Sequence, residues 1–341
     1  MLTKKTTIAA AVAAAVCVAG VQPASAKLKR ITIGSNPAGS AYFLLASGFA
    51  KLFQEKMGVR TTAQPHAGSS VYLPLMDSGE MTLGLNSSLD SGMAVNGQAP
   101  YRSKIKNVRT IARVWILPYA YIVKNNSGLK TMADLKGKRV TIKVKTNVSL
   151  MRTNEALLAT AGIKPTDVDA LDSGGVVAGI NMVVQDRADA TTAAMAMPAM
   201  RKNDAAVPGG LRVIPLGPNH SDEFLDKMMP GLYSMKVSHS KIYPFVRDKE
   251  VLIGAFDTYL NAGTTVSDED AYEMAKLLYT NWKSLQKDYA PLRGVAQDKI
   301  VIANGMLPFH PGAVKFYREV GLWKAANDKR QAERMAIVNG K

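Results

Sequence analysis

The residues that follow position 27 alternate between short apolar runs, glycine- and serine-containing loops and segments with helical spacing. Strands are predicted at residues 28–33, 59–63 and 81–85, and helices at residues 41–55 and 71–77. Because strand, loop and helix follow one another in this order, the strands are expected to lie parallel and to be joined by right-handed crossovers. This part of the chain therefore predicts a doubly wound α/β sheet.

The same order of elements restarts further along the chain. Strands are predicted at residues 140–144, 168–171 and 188–193, and helices at residues 150–161 and 176–186. The 341 residues also exceed one ordinary domain of roughly 100–200 residues. Both observations predict an α/β protein of two lobes, each built on a doubly wound, mostly parallel sheet.

An extended, aromatic-rich run at residues 111–123 separates the two series. Pro118 interrupts this run, which favours a strand that crosses between the lobes with a hinge near the proline, while an ordinary buried strand is the alternative. The return crossing is expected between residues 233 and 245. The resulting division is residues 27–115 for the first lobe, 116–240 for the second, and 241–341 for the return to the first lobe and the C-terminal helices.

A long helix is predicted after Ser267. Residues 267–270 have the Ser-x-x-acid form of a capping box, and apolar residues then recur every three or four positions from Ala271 to Leu285. This spacing predicts a helix that packs against a core.

The N-terminus has the pattern of a secretory signal. Lys4 and Lys5 precede an apolar run at residues 8–21, and small residues at 24–26 form a cleavage site. Residues 1–26 are therefore interpreted as a signal peptide cleaved near Ala26, which predicts a periplasmic protein. A membrane anchor is the alternative, but the run is shorter than the ~20 residues that span a bilayer. The single cysteine, Cys17, lies within this segment, so a disulfide scaffold is excluded.

The composition is that of a globular protein with a strongly basic surface. Hydrophobic residues make up 47% of the chain and charged residues 21%, which excludes a disordered chain, and 43 basic against 27 acidic residues give a net charge of +16. Because the basic residues are scattered rather than clustered, no nucleic-acid partner is predicted. A field that gathers a small anionic solute and a solvated surface without a specific role both remain open.

Small polar residues and glycines follow the predicted strands in both lobes. Loops after parallel strands meet at one edge of the sheet, where helix N-termini present free N–H groups. The repetition of these small polar residues in both lobes predicts an anion-binding site between the lobes, with Lys145 or Arg152 as a counter-charge. Each residue alone is as typical of helix capping. The candidates that the pattern supplies are Gly39, Ser40, Gly68, Ser69, Ser70, Asn86, Ser87, Thr146, Asn147 and Ser149.

Other chemistries find little support in the sequence. His66, His220, His239 and His310 stand far apart without the spacing of metal ligands, and no cofactor or metal is predicted. A phosphate-binding loop with its lysine and a Gly-x-Ser-x-Gly nucleophile motif are both absent from the sequence. His66 with Asp172 is the only acid/base pair to nominate, so a periplasmic hydrolase or isomerase is kept as the alternative function.

Three stretches together resemble the TAXI-type solute receptors of tripartite ATP-independent periplasmic (TRAP) transporters. They are Ile31-Thr32-Ile33-Gly34-Ser35 with Gly39-Ser40-Ala41-Tyr42, then Gly68-Ser69-Ser70-Val71 with residues 76–84, and Leu307-Pro308-Phe309-His310-Pro311-Gly312-Ala313 continuing to Leu322. The resemblance covers most of the chain after residue 26. The loop at residues 145–149 departs from it, because the expected glycines are missing.

The resemblance implies a type II periplasmic-binding-protein-like fold with hinge strands and no catalytic activity. It implies capture of a small anionic organic acid or amino acid and delivery to the membrane permease subunits of a TRAP transporter. Tyr42 joins the candidate ligand residues on this ground, since it matches the family's first loop. An orphan receptor that reports to a sensor is the other alternative.

Overall fold

The computed structural model describes residues 28–144 and 147–340. The predicted signal peptide lies outside these residues, as do Lys145 and Thr146. Ten strands occupy the described part: β1 Arg30–Ser35, β2 Arg60–Pro65, β3 Leu83–Ser87, β4 Arg109–Lys124, β5 Arg139–Val144, β6 Asp169–Ser173, β7 Thr191–Ala194, β8 Leu211–Val213, β9 Leu232–Ser238 and β10 Glu250–Ala262.

Ten α-helices lie between and after these strands in the same described ranges. They are α1 Ala41–Met57, α2 Ser69–Ser78, α3 Ser88–Val95, α4 Val148–Ala159, α5 Val176–Val184, α6 Pro198–Ala206, α7 Asp222–Met228, α8 Asp268–Asp288, α9 Pro311–Glu319 and α10 Ala325–Val338. None of these helices is long and apolar enough to cross a membrane.

The first series of elements has the predicted α/β architecture. Strand β1 lies between β2 and β3 and pairs in parallel with both, with Ile33 opposite Ala63 on one side and Leu83 on the other. Helices α1 and α2 connect these strands, as the strand and helix spacing predicted. The carboxyl ends of all three strands therefore point to one edge of the sheet. We refer to β1–β3 with α1–α3 as the first lobe.

Two long strands join this lobe to the rest of the molecule. Strand β4 contains Pro118 and pairs along its length with β10, then with β7 and β8, which confirms the predicted crossing strand. The return crossing is β10 rather than the region 233–245, because β10 pairs with β9 through Phe256 and with β3 from Thr258 onward. Strand β9 itself pairs with β10 and stays on one side of the junction.

The second lobe, β5–β8 with α4–α7, is less parallel than the first. Strands β5 and β6 pair in parallel, and Val140 forms a parallel bridge to Ala190 beside β7. Strands β7 and β8 run antiparallel to β4. The sheets are thus mixed where the crossing strands enter, and the prediction of a two-lobed α/β fold is confirmed.

The C-terminal region closes over the first lobe. Helix α8 begins as predicted, with the Ser267 hydroxyl accepting from the Asp270 N–H at 3.0 Å, and the fully buried Trp282 donates to the Val295 carbonyl at 2.8 Å. His310 is also buried and caps α9, with its Nε2 against the Val266 carbonyl at 3.1 Å. Burial lowers the pKa of His310, which favours the neutral ring. In this structure the His310 segment packs α9 against α8.

Gly312→Ala should test this packing directly. A Cβ at Gly312 would lie 1.9 Å from the carbonyl oxygen of Asp268, and because that atom belongs to the backbone, α8 and α9 must move apart. We expect a loss of roughly 1–3 kcal/mol in the free energy of unfolding, as for other overpacked sites. Urea unfolding measures it. Gly294→Ala is the matched control, since nothing lies within 4 Å of its added Cβ; equal stability of the two variants would contradict the packing role.

Candidate functional site

The loops that follow β1, β2 and β3 lie side by side at the carboxyl edge of the sheet. The His66 N–H after β2 donates to the Ser35 carbonyl at the end of β1 at 2.8 Å, which joins the first two loops. Helices α1, α2 and α3 begin at this edge, so their first N–H groups face it. This is the placement that the alternation of strands and polar loops predicts.

A carboxylate lies among the predicted hydroxyls. The Ser69 hydroxyl donates to Asp90 Oδ2 at 2.9 Å, and the Ser87 hydroxyl donates to the same oxygen at 2.7 Å. Ser87 also caps α3, because its hydroxyl oxygen accepts from the Asp90 N–H at 3.1 Å. The loops after β2 and β3 are therefore held together by one acidic side chain.

The start of α4 brings the second lobe to the same place. The Asn147 side chain caps α4 by accepting from the Leu150 N–H at 3.0 Å, and the Ser149 hydroxyl donates to Asn147 Oδ1 at 2.7 Å. The Ser149 hydroxyl also lies close enough to Asp90 to stabilise its ionised form. We call Ser69, Ser87, Asp90 and Ser149 the Asp90 cluster.

A second contact between the lobes lies one turn further along α4. Arg152 Nη1 donates to Gln98 Oε1 at 3.2 Å, and Gln98 follows α3 in the first lobe. Ser149 and Arg152 are three residues apart and share one face of the helix. Within the described ranges Arg152 forms no ion pair, and Gln98 is the hydrogen-bond partner of its guanidinium there.

Three tyrosines surround the Asp90 cluster. The Tyr42 hydroxyl lies 3.1 Å from Thr258 Oγ1 of β10, and the Tyr72 hydroxyl donates to the Leu85 carbonyl. Tyr101 is only 5% exposed, and its hydroxyl has no hydrogen-bond partner in the described part of the chain. Burial is the main reason that the pKa of each of these three phenols is raised. The negative charge of Asp90 raises it further.

Burial makes Asp90 a weaker acid than an ordinary aspartate. Loss of hydration raises its pKa, and the hydrogen bonds from Ser87, Ser69 and Ser149 only partly oppose this. No lysine or arginine of the described ranges forms an ion pair with Asp90. The arrangement is a partly desolvated acceptor, which suits a hydrogen-bond donor or a cationic group on a ligand.

The other predicted residues take different positions. Gly39, with a φ of +86°, and Gly68 flank the starts of α1 and α2, and the Ser40 hydroxyl caps α1 by accepting from the Phe43 N–H. Ser70 is exposed. Thr146 lies outside the described residues.

Asn86 directly precedes Ser87 of the Asp90 cluster, and its side chain lies in the protein interior, where it donates to the Ser87 carbonyl at 3.2 Å. Its side chain is fully buried, donates to Ser91 Oγ at 2.5 Å and accepts from Asn261 Nδ2 at 2.7 Å. The bond to Ser91 joins the end of β3 to α3, and the bond from Asn261 joins it to β10. The hydrogen bonds of this amide are therefore all made within the protein interior.

Asp90 itself was not among the candidates that the sequence supplied. Ser87-Ser88-Leu89-Asp90 has the Ser-x-x-Asp form of a capping box, which is the one local signal that could have found it. Its other hydroxyl neighbours, Ser69 and Ser149, lie 21 and 59 positions away. No local pattern joins residues at such separations.

His66 and Asp172, the nominated acid/base pair, contact different residues. The His66 ring lies 5.8 Å from the ring of Tyr72, measured between centroids, while Asp172 lies 4.0 Å from the Lys143 ammonium in the second lobe. Among the residues that the structure describes, no group of His, Cys, Asp or Glu side chains is arranged to hold a metal ion.

The fold is that of periplasmic binding proteins. Two α/β lobes joined by paired crossing strands are the architecture of periplasmic binding proteins, and solved structures share it. PhnD1 from Prochlorococcus marinus, in complex with methylphosphonate, is 14% identical over 86% of this chain and 99% of that one, with a TM-score of 0.54. A TctC solute-binding protein from Polaromonas, without ligand, is 15% identical over 92% and 98% of the two chains, with a TM-score of 0.51.

Family membership follows from the sequence itself. Residues 33–321 match the model of the NMT1-like family, and the chain belongs to that family. At these identities the solved structures establish the fold alone.

Proposed function

We propose that this protein is a periplasmic, non-catalytic solute receptor of the TAXI type, exported by its N-terminal signal and serving a TRAP-type permease. The solute binds between the lobes at the Asp90 cluster. The observation that carries this proposal is that Ser69 and Ser87 donate to Asp90 while α4 of the other lobe meets the same region through the hydrogen bond from Arg152 to Gln98, with Ser149 on the same face of the helix. A ligand held there touches both lobes, so its binding favours the closed form.

Of the two solute classes considered, a plain organic acid and an amino acid, the Asp90 cluster favours the amino acid. A plain carboxylate would meet the negative charge of Asp90 in a partly desolvated site, which is unfavourable. An ammonium group instead donates to Asp90, whose ionised carboxylate is a strong acceptor. Arg152 is the group that would receive the carboxylate.

A thermal-shift screen with matched solutes tests the proposal. The protein is first unfolded and refolded to remove any bound solute, then mixed with glutamate or glutarate, aspartate or succinate, and alanine or propionate. We expect at least one amino acid to raise the unfolding midpoint and its deaminated partner to raise it much less. Stabilisation by no solute would contradict the receptor function, and stabilisation by the plain acids alone would contradict the role of Asp90.

Amino-acid affinity should fall with decreasing pH, starting above the range of an ordinary aspartate. Burial raises the pKa of Asp90, and only the ionised carboxylate attracts an ammonium group, so proton uptake competes with the solute. Calorimetric titration between about pH 8 and about pH 4 measures this dependence. Asp90→Asn, which cannot titrate, should lose this part of the dependence; a wild-type affinity that stays constant over that interval would contradict the assignment.

A further inference from the structure

Trp115, on the crossing strand β4, differs from the other two tryptophans of the chain. Trp282 and Trp323 are buried and donate their indole N–H groups to the Val295 carbonyl and to Asp328 Oδ1. Trp115 is half-buried, and its indole N–H has no acceptor in the described ranges. The ring packs against two hydrophobic cores, one that includes α1 and α8 and one that includes α3 and α4. Trp115 therefore lies where the two lobes meet, with part of its side chain open to solvent.

Trp115 also lies in the same row of the sheet as the Asp90 cluster. Thr258 of β10 pairs with Ser87 on one side and with Trp115 on the other. Because neighbouring strands are spaced about 4.8 Å apart, the Cα atoms of Ser87 and Trp115 are about 10 Å apart. Ser87 donates to Asp90, so the ring is within reach of the side chain of a solute that this carboxylate holds.

A β-bulge directly precedes Trp115. Trp115 pairs with Thr258, and the next residue of β10 pairs with Arg113. Val114 is therefore left without a partner. Bulges twist a strand and redirect its side chains, and they are common beside ligand sites. The Tyr42 ring supports the indole edge to face, with 5.6 Å between the ring centroids, and its hydroxyl lies 3.1 Å from Thr258 Oγ1.

The helices that begin at the junction present apolar rather than charged side chains. The first four residues of α1, α2, α4 and α5 include no Asp, Glu, Lys or Arg. Three of the five large hydrophobic residues that are exposed in the described ranges lie there, namely Leu44, Val71 and Val177. Because Cα–Cβ bonds tilt toward the N-terminus of a helix, these side chains lean toward the edge at which their helices begin.

The charges of the site match the backbone groups of an amino acid. In the function proposed above, Asp90 receives the ammonium group and Arg152 the carboxylate. A charged side chain on the solute would find no counter-charge in the first turns of these four helices. An apolar side chain there would be removed from water beside other apolar groups, which is favourable.

We propose that the solute is an amino acid with an apolar side chain, such as leucine or phenylalanine, and that Trp115 is the specificity-determining residue on which this side chain packs. This inference rests on the receptor function proposed above. The broad face of an indole provides a large contact area for an aliphatic or an aromatic side chain. Closure of the lobes then covers that side chain.

Calorimetric titration of refolded, solute-free wild type with leucine, phenylalanine, alanine and glutamate tests the specificity. Alanine carries the same two backbone charges but only a methyl group. We expect leucine or phenylalanine to bind roughly 10- to 100-fold more tightly than alanine, and glutamate to bind no more tightly than alanine.

The possible failures of this titration are distinguishable. Glutamate binding more tightly than leucine and phenylalanine, or equal affinities for these two and alanine, would overturn this inference and leave the receptor function standing. Binding of no amino acid would contradict the receptor function and this inference with it.

Trp115→Ala separates a contact with the solute from a role in the fold. Its affinity for the tighter of the two apolar amino acids should fall roughly tenfold or more, while its affinity for alanine should stay within about twofold. Trp323→Phe changes a buried tryptophan of the C-terminal region and is the matched control, expected to bind as wild type does. Equal losses for both solutes in Trp115→Ala would overturn the proposal.

Intrinsic fluorescence provides an independent test if Trp115→Ala does not fold. Saturation with the same apolar amino acid should change the emission of wild type and of Trp323→Phe. Trp115→Phe, which keeps an aromatic ring at this position, should show no such change. Unchanged emission of wild type, or an equal change in Trp115→Phe, would overturn the proposal.

Discussion

Asp90→Asn is expected to weaken amino-acid binding by about 2–5 kcal/mol, which is roughly 30-fold at the least. The variant keeps the shape of the side chain and can still accept from Ser69 and Ser87, but it removes the charge that an ammonium group requires. Calorimetric titration of wild type and variant with the best amino acid from the thermal-shift screen measures the loss.

Two comparisons separate this effect from a general loss of structure. Affinity for the deaminated analogue should be unchanged or improved in Asp90→Asn, since the repelling charge is gone. Asp298→Asn, an exposed aspartate beside Lys299, is the matched control and should bind as wild type does. Equal weakening for the amino acid and for its deaminated analogue would show that Asp90 does not receive the ammonium group.

Asp257→Asn should lower the free energy of unfolding by about 3–5 kcal/mol. Asp257 is 1% exposed and accepts from Arg113 and from the hydroxyls of Tyr233 and Tyr259. It lies opposite Ile116 where β10 and β4 pair between the lobes. The substitution leaves the largely buried Arg113 guanidinium without a counter-charge, and that uncompensated charge is the source of the cost.

Urea unfolding of wild type and of two variants measures this loss. Asp248→Asn breaks an ion pair of similar length, that with Arg212 at 2.9 Å, but the Asp248 side chain is 54% exposed. Its loss should stay within about 1 kcal/mol, because solvent screens exposed pairs. Equal stability of Asp257→Asn and Asp248→Asn would contradict the role given to the buried pair.

The strands and helices near the site could be predicted because their signals are local. The alternation around β1, β2 and β3, and the helical spacing of α1, depend on residues only a few positions apart. The crossing strand β4 was predicted for the same reason, with Pro118 as its marker. Strand β10, by contrast, joins an apolar run at residues 251–256 to a second half that contains Asp257 and Asn261, and this sequence does not reveal which strands it pairs with.

The charge of the site could not be predicted, because it depends on contacts between distant residues. The sequence showed hydroxyls after each strand and suggested donors for an anion. Folding directs two of them, Ser69 and Ser87, to the Asp90 carboxylate. An aspartate three residues after a capping serine is ordinary at a helix N-terminus, so nothing in its own segment distinguishes it. The ion pair between Arg113 and Asp257 could not be predicted for the same reason, because the two residues are 144 positions apart.

The most direct measurement is the identity of the solute that the protein carries when it is purified. Wild type and Asp90→Asn, isolated under the same conditions, are denatured, and the released small molecules are identified and quantified by mass spectrometry. We predict about one equivalent of a compound with both a carboxylate and an amino group from wild type, and far less from Asp90→Asn. Release of a compound without an amino group, or of equal amounts from both proteins, would contradict the account.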